Sequence, residues 1–361
     1  MKNILILYTS IGYGHKMIAE NIGSALRGSF QVELVDLAEL EKNSPLMERG
    51  TKFYFWMIKR WPGLWKFFYT NKFFLNLTLP LRVPVAGFKY QKVLNLLSKK
   101  HYDAVISAHV NASAILSFLK KKGLYKGKFI IAFSDFHLHW YWVYDNADLY
   151  LVNIAEQRQQ MLAGGVPADK ILVCGMTMQP KKQFDRIEVR KKFGLPEKAK
   201  VILVMSGSKG LMFDPKLIDQ LKGLDAEILV ICGKNQTLEK QMRRKFEKVQ
   251  NVKVYGYLEN LTELYGVTDI VVTKPGGLTV SECLQYGLPM LIHSWLPGME
   301  QMNYQYLVER SLVLPRTKDL KEQIRSELDS GDFARQLQIN SYRSAIVADG
   351  AKIRDKLTEL I

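Results

Sequence analysis

Cysteine is scarce: three occur in 361 residues, Cys174, Cys232 and Cys283, far apart and without metal-ligand spacing. That excludes a disulfide scaffold and a zinc ribbon and reads as three reduced core cysteines of a cytoplasmic protein. No apolar run reaches the roughly 18 residues a membrane-crossing helix needs. The first ten residues run directly into a strand pattern with no cleavage-site motif, so no signal peptide is expected. The glycine turn near the start lacks a Walker Lys-Ser/Thr, and no G-x-G-x-x-G follows the first strand. A P-loop is thereby excluded, and an NAD-dependent oxidoreductase is disfavoured. Acidic residues are absent from Arg49 to Lys100, a stretch that holds eleven Lys or Arg.

The overall excess of 51 basic over 35 acidic residues gives a net charge of +16, which predicts an anionic partner. The acid-free stretch carries much of that charge. It also holds Phe53, Tyr54, Phe55, Trp56, Trp61, Trp65, Phe67, Phe68, Tyr69, Phe73 and Phe74. Trp and Tyr favour the water–lipid boundary and Lys and Arg favour anionic headgroups, so this aromatic, basic insertion over 45–84 fits a segment lying in a membrane interface. Pro62-Gly63, Pro80 and Pro84 divide it into two short amphipathic pieces. A hydrophobic arm packed on its own domain or on a second subunit is the plainer alternative. Base stacking is the other, but no nucleic-acid-binding fold surrounds these rings and no nucleic-acid partner is expected.

Short β-branched runs at regular spacing predict parallel strands in two α/β domains. Strands are read at 3–8, 31–35, 102–107, 129–133 and 147–153, then at 201–205, 227–231, 252–255, 270–272 and 289–293. Helices are expected at 16–27, 87–100, 156–163, 279–285, 318–327 and 332–360. Polar residues follow several strand ends, where α/β sheets bind ligands. His15 closes the first glycine turn, either as a cap or as a neutral base at a helix N-terminus. His109 and Asp135 follow later strands and should face the same crevice. Asp36 reads as a turn or cap residue.

The stretch 273–303 is the densest in such signals. Pro275-Gly276-Gly277 permits a tight turn into a helix whose free N–H groups suit an anion. Glu282 near the helix start can accept the two hydroxyls of a ribose. After a further strand, Pro297-Gly298 leads to Glu300, Gln301 and Asn303, which suit sugar hydroxyls. An ordinary βα unit with glycines at its turns is the alternative on spacing alone.

The arrangement Gly276-Gly277-Leu278-Thr279, Glu282, Gly287-Leu288-Pro289, Pro297-Gly298-Met299-Glu300 and Asn303 resembles the donor-binding signature of glycosyltransferase family 28. That family includes the lipid I N-acetylglucosaminyltransferases, the monogalactosyldiacylglycerol synthases and the diacylglycerol glucosyltransferases. Met299 departs from the pattern, because the galactolipid branch usually has Gln there. The resemblance extends to the first glycine turn with His15, to Ser134-Asp135-Phe136-His137-Leu138-His139-Trp140, and to Ser206-Gly207-Ser208, where Ser206 replaces a glycine.

The resemblance implies a GT-B fold of two Rossmann-like, doubly wound domains facing across a cleft. The expected limits are 1–177 for the acceptor and membrane domain and 178–342 for the nucleotide-sugar domain, with a final helix in 343–361 crossing back. It implies an inverting transfer of a hexose from a UDP-sugar to a lipid hydroxyl, with diacylglycerol favoured. His15, Asp135 and His109 are the catalytic candidates, and which of them is the base stays open. Ser206, Gly207, Ser208, Tyr257, Lys274, Gly276, Gly277, Thr279, Glu282, Glu300, Gln301 and Asn303 would bind the donor. Trp56, Trp61, Trp65, Phe67 and Phe68 would meet the lipid. No resident metal or cofactor is expected, with a divalent ion on the donor diphosphate as an option. The implied location is peripheral, on the cytoplasmic face of the cell membrane. A polyprenyl-diphosphate acceptor or a non-enzymatic UDP-sugar sensor are the other readings.

Overall fold

The computed structural model describes residues 1–10, 13–40, 53, 56–58, 60–87, 90–210, 213–330, 339, 346–348 and 350–361. Ile11 and Gly12 of the first turn, the start of the insertion with Tyr54 and Phe55, and most of residues 332–345 lie outside the described residues. The chain forms two compact units. The first holds Met1–Gln179, Pro297–Met299 and Ala345–Ile361; the second holds Pro180–Leu296 and Glu300–Ser344.

The first unit is built on a six-stranded parallel sheet. Its strands are β1 (Asn3–Tyr8), β2 (Gln31–Asp36), β3 (Ala104–Ser107), β4 (Lys128–Ala132), β5 (Leu149–Val152) and β6 (Ile171–Val173), in the order β2-β1-β3-β4-β5-β6. Ile4 to Leu7 are fully buried, as expected for a strand covered on both faces. The turn after β1 leads into α1 (Tyr13–Leu26). Asp36 does act as a turn residue: its carboxylate accepts the N–H groups of Ser10 and Ala38 at 3.1 and 2.8 Å.

Among its described residues the insertion forms α2 (Pro62–Thr70), α3 (Lys72–Thr78) and α4 (Arg82–Ala86), with further helical residues at 56–58, where two short pieces were expected. Pro62 starts a helix instead of breaking one, because the first helical position needs no N–H donor. The break falls at Asn71, whose side chain caps α3 by accepting the Phe74 N–H. Next come α5 (Gln91–Lys99), α6 (Val110–Lys121) and α7 (Ala155–Ala163). Ala112, Ile115, Leu116 and Leu119 of α6 and Met161 of α7 pack with Leu5, Val105, Phe129 and Tyr150 of the sheet.

The second unit repeats the plan with β8 (Val201–Met205), β9 (Glu227–Ile231), β10 (Val252–Tyr255), β11 (Ile270–Thr273) and β12 (Met290–Ile292), all parallel, in the order β10-β9-β8-β11-β12. Among its helices are α8 (Thr262–Val267), α9 (Gly277–Tyr286) and α10 (Met299–Glu309). Both sheets reverse strand order once, between β1 and β3 and between β8 and β11. Such a switch point opens a crevice at the carboxyl ends of the strands. The three cysteines are buried and free. Burial pushes the Cys174 thiol up to about 12 and the Cys232 thiol up to about 11, so both stay protonated.

The helix expected over 332–360 does not run through. A strand, β13 (Val347–Ala348), pairs in parallel with β7 (Met176–Thr177), and only then does α11 (Ala351–Leu360) begin. Gly350 makes the break with φ of 83°, a left-handed conformation that other residues adopt at a cost. From there α11 buries Ile353 and Leu357, and Arg354 donates to the Ala25 carbonyl of α1 at 3.4 Å. A Cβ at Gly350 would stand 2.5 Å from that of Ala25. Gly350→Ala is therefore expected to cost about 1–3 kcal/mol and to lower the urea midpoint. An unchanged midpoint would show that this junction does not hold the terminal helix.

Candidate functional site

The switch point of the first sheet brings His15, His109 and Asp135 together. His15 lies in the first turn of α1 and its Nδ1 is 2.9 Å from the Ala108 carbonyl just beyond β3. A carbonyl only accepts, so Nδ1 carries the proton and Nε2 keeps its lone pair. Burial is the main influence lowering the His15 pKa, with Asp135 and the Ala108 bond acting against it.

His109 is the N-cap of α6, and its Nδ1 accepts the Asn111 N–H at 3.2 Å. Its ring meets that of His15 edge to face, with centroids 4.9 Å apart. Burial, then the neighbouring His15, holds its pKa well below the usual value. With Nδ1 occupied as an acceptor, Nε2 carries the proton. His109 is thus a cap with its proton on Nε2, whereas His15 has its proton on Nδ1.

Asp135 lies on the loop after β4. Ser134 Oγ donates to its Oδ2 at 3.0 Å. Its backbone carbonyl accepts from Asn153 Nδ2 at 2.9 Å and Gln157 Nε2 at 3.0 Å. Trp142, further along the same loop, stacks over His15 at 6.3 Å and 30°. Asn153, Gln157 and Trp142 were not singled out in the sequence. The four-residue spacing of Asn153 and Gln157 across a strand end was their only local signal.

The second switch point gathers most of the expected donor residues. Ser206 is buried at the end of β8, Gly207 turns with φ of 69°, and the Ser208 carbonyl accepts the Lys234 N–H at 2.7 Å. A Cβ on Gly207 would lie 3.7 Å from Lys274 Cε, so the two βα turns adjoin. Lys274, 8% exposed, pairs with Glu300 at 2.9 Å, and the other Glu300 oxygen accepts the Leu296 N–H at 2.6 Å. Gly276 caps α9 with open space where a side chain would be, buried Gly277 starts the helix, and Thr279 lies in its first turn. Tyr257 is exposed beyond β10, with Lys234 Nζ 4.7 Å from its ring centroid.

Glu282 accepts the Tyr265 hydroxyl of α8 at 2.9 Å. Burial raises its carboxyl to about 7, with the Tyr265 bond acting the other way. Gln301 is half-buried in the first turn of α10. Asn303 corrects its expected role as a sugar reader: it is fully buried, and its Nδ2 donates to the Pro275 carbonyl at 3.0 Å. It braces the glycine turn from behind. His293, also not anticipated, is buried at the end of β12 with Nε2 3.4 Å from the Met205 carbonyl. Burial pushes it down to about 4.

The aromatic residues of the insertion divide. Trp56, Trp61 and Phe67 are exposed, and Phe73 is more so at 77%. Trp65 and Phe68 are half-buried instead, against Tyr69 and Phe74.

Two parallel, doubly wound units, each with polar turns at its switch point, define a GT-B glycosyltransferase fold. Solved structures agree at the level of fold. MurG of Acinetobacter baumannii superposes with a TM-score of 0.62 at 14% identity, covering all of both chains. HepE of Anabaena, solved with UDP-glucose, gives 0.58 at 14% identity over 100% of this chain and 99% of that one. Residues 15–178 match the family model for monogalactosyldiacylglycerol (MGDG) synthase, and residues 201–331 match that of the glycosyltransferase family 28 C-terminal domain. A processive diacylglycerol beta-glucosyltransferase of Bacillus pumilus is 27% identical over 94% of this chain and 90% of its own, and that of Bacillus subtilis is 26% identical over the same shares. The chain belongs to glycosyltransferase family 28.

The hydrogen bonds around the first switch point assign opposite tautomers to its two rings. Nitrogen NMR at pH 6.5 is expected to find His15 protonated on Nδ1 and His109 on Nε2, both neutral. A charged ring, or the same tautomer in both, would overturn the assignment of His15 as the residue with a free lone pair.

Proposed function

We propose that the protein moves a hexose from a UDP-sugar to the free hydroxyl of diacylglycerol at a membrane surface, with inversion at the anomeric carbon. The observation that carries the chemistry is the His15 tautomer, which leaves Nε2 as an acceptor on a ring that feels the Asp135 charge. Support for the substrates comes from the relatives named above, which share most of their length with this chain. The exposed aromatic rings of a basic segment support contact with lipid. No described helix is long and apolar enough to cross a membrane. The reading places the protein peripherally, on the cytoplasmic face.

In this reading His15 Nε2 takes the acceptor's hydroxyl proton as the oxygen bonds to the anomeric carbon. The bond from that carbon to the diphosphate breaks, and UDP leaves with the electron pair. Asp135 stabilises the imidazolium that forms. The N-terminus of α9 and the Lys274 ammonium offset charge growing on the diphosphate, and Glu282 accepts the ribose hydroxyls. The reaction needs no resident metal or cofactor, and a divalent ion would enter with the donor diphosphate.

The direct test is transfer of radiolabelled sugar from UDP-glucose and UDP-galactose onto diacylglycerol in mixed anionic vesicles. Chloroform-soluble label is expected from one donor. Its absence from both, with UDP binding intact, would turn the reading toward a polyprenyl-diphosphate acceptor or a sensor. His15→Ala should lower kcat by about 10²–10⁴-fold and leave UDP affinity unchanged. Loss of UDP binding in a folded variant would remove the base assignment.

Glu282 supplies a pH dependence. Its carboxyl is held up at about 7, so it is mostly protonated below that pH and charged above it. UDP affinity should therefore rise as pH increases through about 7. In Glu282→Gln it should be flat across that range and weaker by roughly tenfold or more at pH 8. Calorimetric titration that found the same pH profile in both proteins would take Glu282 out of the ribose role.

A further inference from the structure

One loop touches both the aromatic insertion and the His15 pocket. On the pocket side it supplies Asp135, whose charge acts on His15, and Trp142, which stacks on it. Gln157 Nε2 holds this part of the loop by donating to the carbonyls of both Asp135 and His137, each at 3.0 Å.

On the insertion side the same loop grips the end of α2. His137 Nε2 lies 3.1 Å from the Tyr69 hydroxyl. His139 Nε2 donates to the Tyr69 carbonyl at 3.0 Å, while its Nδ1 accepts the Tyr141 N–H at 3.4 Å. The His139 and Tyr69 rings stack at 4.1 Å and 28°. Further along, the Tyr141 hydroxyl donates to Thr78 of α3, and Arg82 of α4 donates to the carbonyls of Trp140 and Val143. α2, α3 and α4 thus each have a hydrogen bond to the loop. Three exposed apolar side chains, Phe67, Phe73 and Leu77, lie on two of those helices.

We propose that Tyr69, His137 and His139 form a positioning joint, through which contact of the aromatic helices with a lipid surface sets Asp135 and Trp142 against His15. The joint rests on the functional reading above for its consequence in turnover, but not for its existence. His137 and His139 touch no reacting atom in this account and act through the loop. Burial holds His139 down at about 4, so it remains a neutral, fixed donor at working pH. The titratable groups that face His15 are Asp135 and His109. Asp135 raises the His15 pKa, so drawing Asp135 nearer should raise it further and letting Asp135 drift should lower it.

The experiment is an NMR titration of the His15 ring in the full chain, with and without vesicles of equal parts phosphatidylglycerol and phosphatidylcholine. In the wild type, vesicles are expected to move the His15 pKa upward. Tyr69→Phe, which deletes one hydroxyl, and His139→Ala should abolish that movement. His139→Gln, whose amide can donate to the Tyr69 carbonyl, should restore it. In transfer assays both disruptive variants should lose about tenfold or more in kcat at unchanged donor KM, with the acid limb of the pH profile displaced to lower pH. A wild-type His15 that ignores bound vesicles, or variants that respond as the wild type does, would overturn the joint. A wild type that shows the vesicle shift and transfers no sugar would overturn the functional reading and leave the joint standing.

Discussion

The hydrogen bond from His15 Nδ1 to the Ala108 carbonyl spans the switch point of the first sheet. It joins the turn after β1 to the turn after β3, two strands that pair from Ile4–Ala104 to Leu7–Ser107. Because the strands are parallel and buried, their backbone groups are consumed in the ladder and their side chains in packing. Chemistry is left to the residues just past the carboxyl ends. That one bond then decides the proton position on His15, and with it which nitrogen can accept. His109 is tied in the complementary way by capping α6, so two adjacent neutral imidazoles end with different roles.

The second unit meets a different problem, a pair of charges held at a buried corner. The Lys274–Glu300 pair is held 2.9 Å apart with both side chains largely out of solvent. Removing one partner of such a pair costs about 3–5 kcal/mol, because the other is left charged and unmatched. The pair therefore fixes β11's turn to α10, and Asn303 adds a second tie to the Pro275 carbonyl. Glu282 stands in contrast: burial has raised it, and the Tyr265 hydroxyl relieves only part of that cost. A ligand offering hydroxyl donors would complete the relief, whereas a fully matched carboxylate would gain little.

Legibility in the sequence followed the range of the interaction. Strand cores such as Val201–Met205 and Glu227–Ile231 show in the sequence because burial on both faces demands an unbroken apolar run. Asp36 showed as a turn residue because its Ala38 partner is two positions away. The span 332–360 misled because its helical pattern conceals Val347–Ala348, whose pairing partner Met176–Thr177 is remote in the chain. Asn303 misled for a related reason. A polar residue on a helix near a glycine turn suits a ligand or a carbonyl equally, and only the fold decides which is in reach.

By itself the sequence determined the two parallel-sheet units, the glycine turns at their strand ends, the concentration of charge and aromatic rings in one insertion, and the family. Those depend on periodicity, backbone freedom and composition, which are local. Tertiary structure alone decided which histidine keeps a lone pair, why Glu282 is raised, and that Asn153 and Gln157 hold the Asp135 loop. It also decided which aromatic rings face out and that Tyr69 meets His137 and His139, 68 and 70 positions away. Each of these turns on a distance of about 3 Å between groups far apart in sequence, a quantity set by packing and not by pattern.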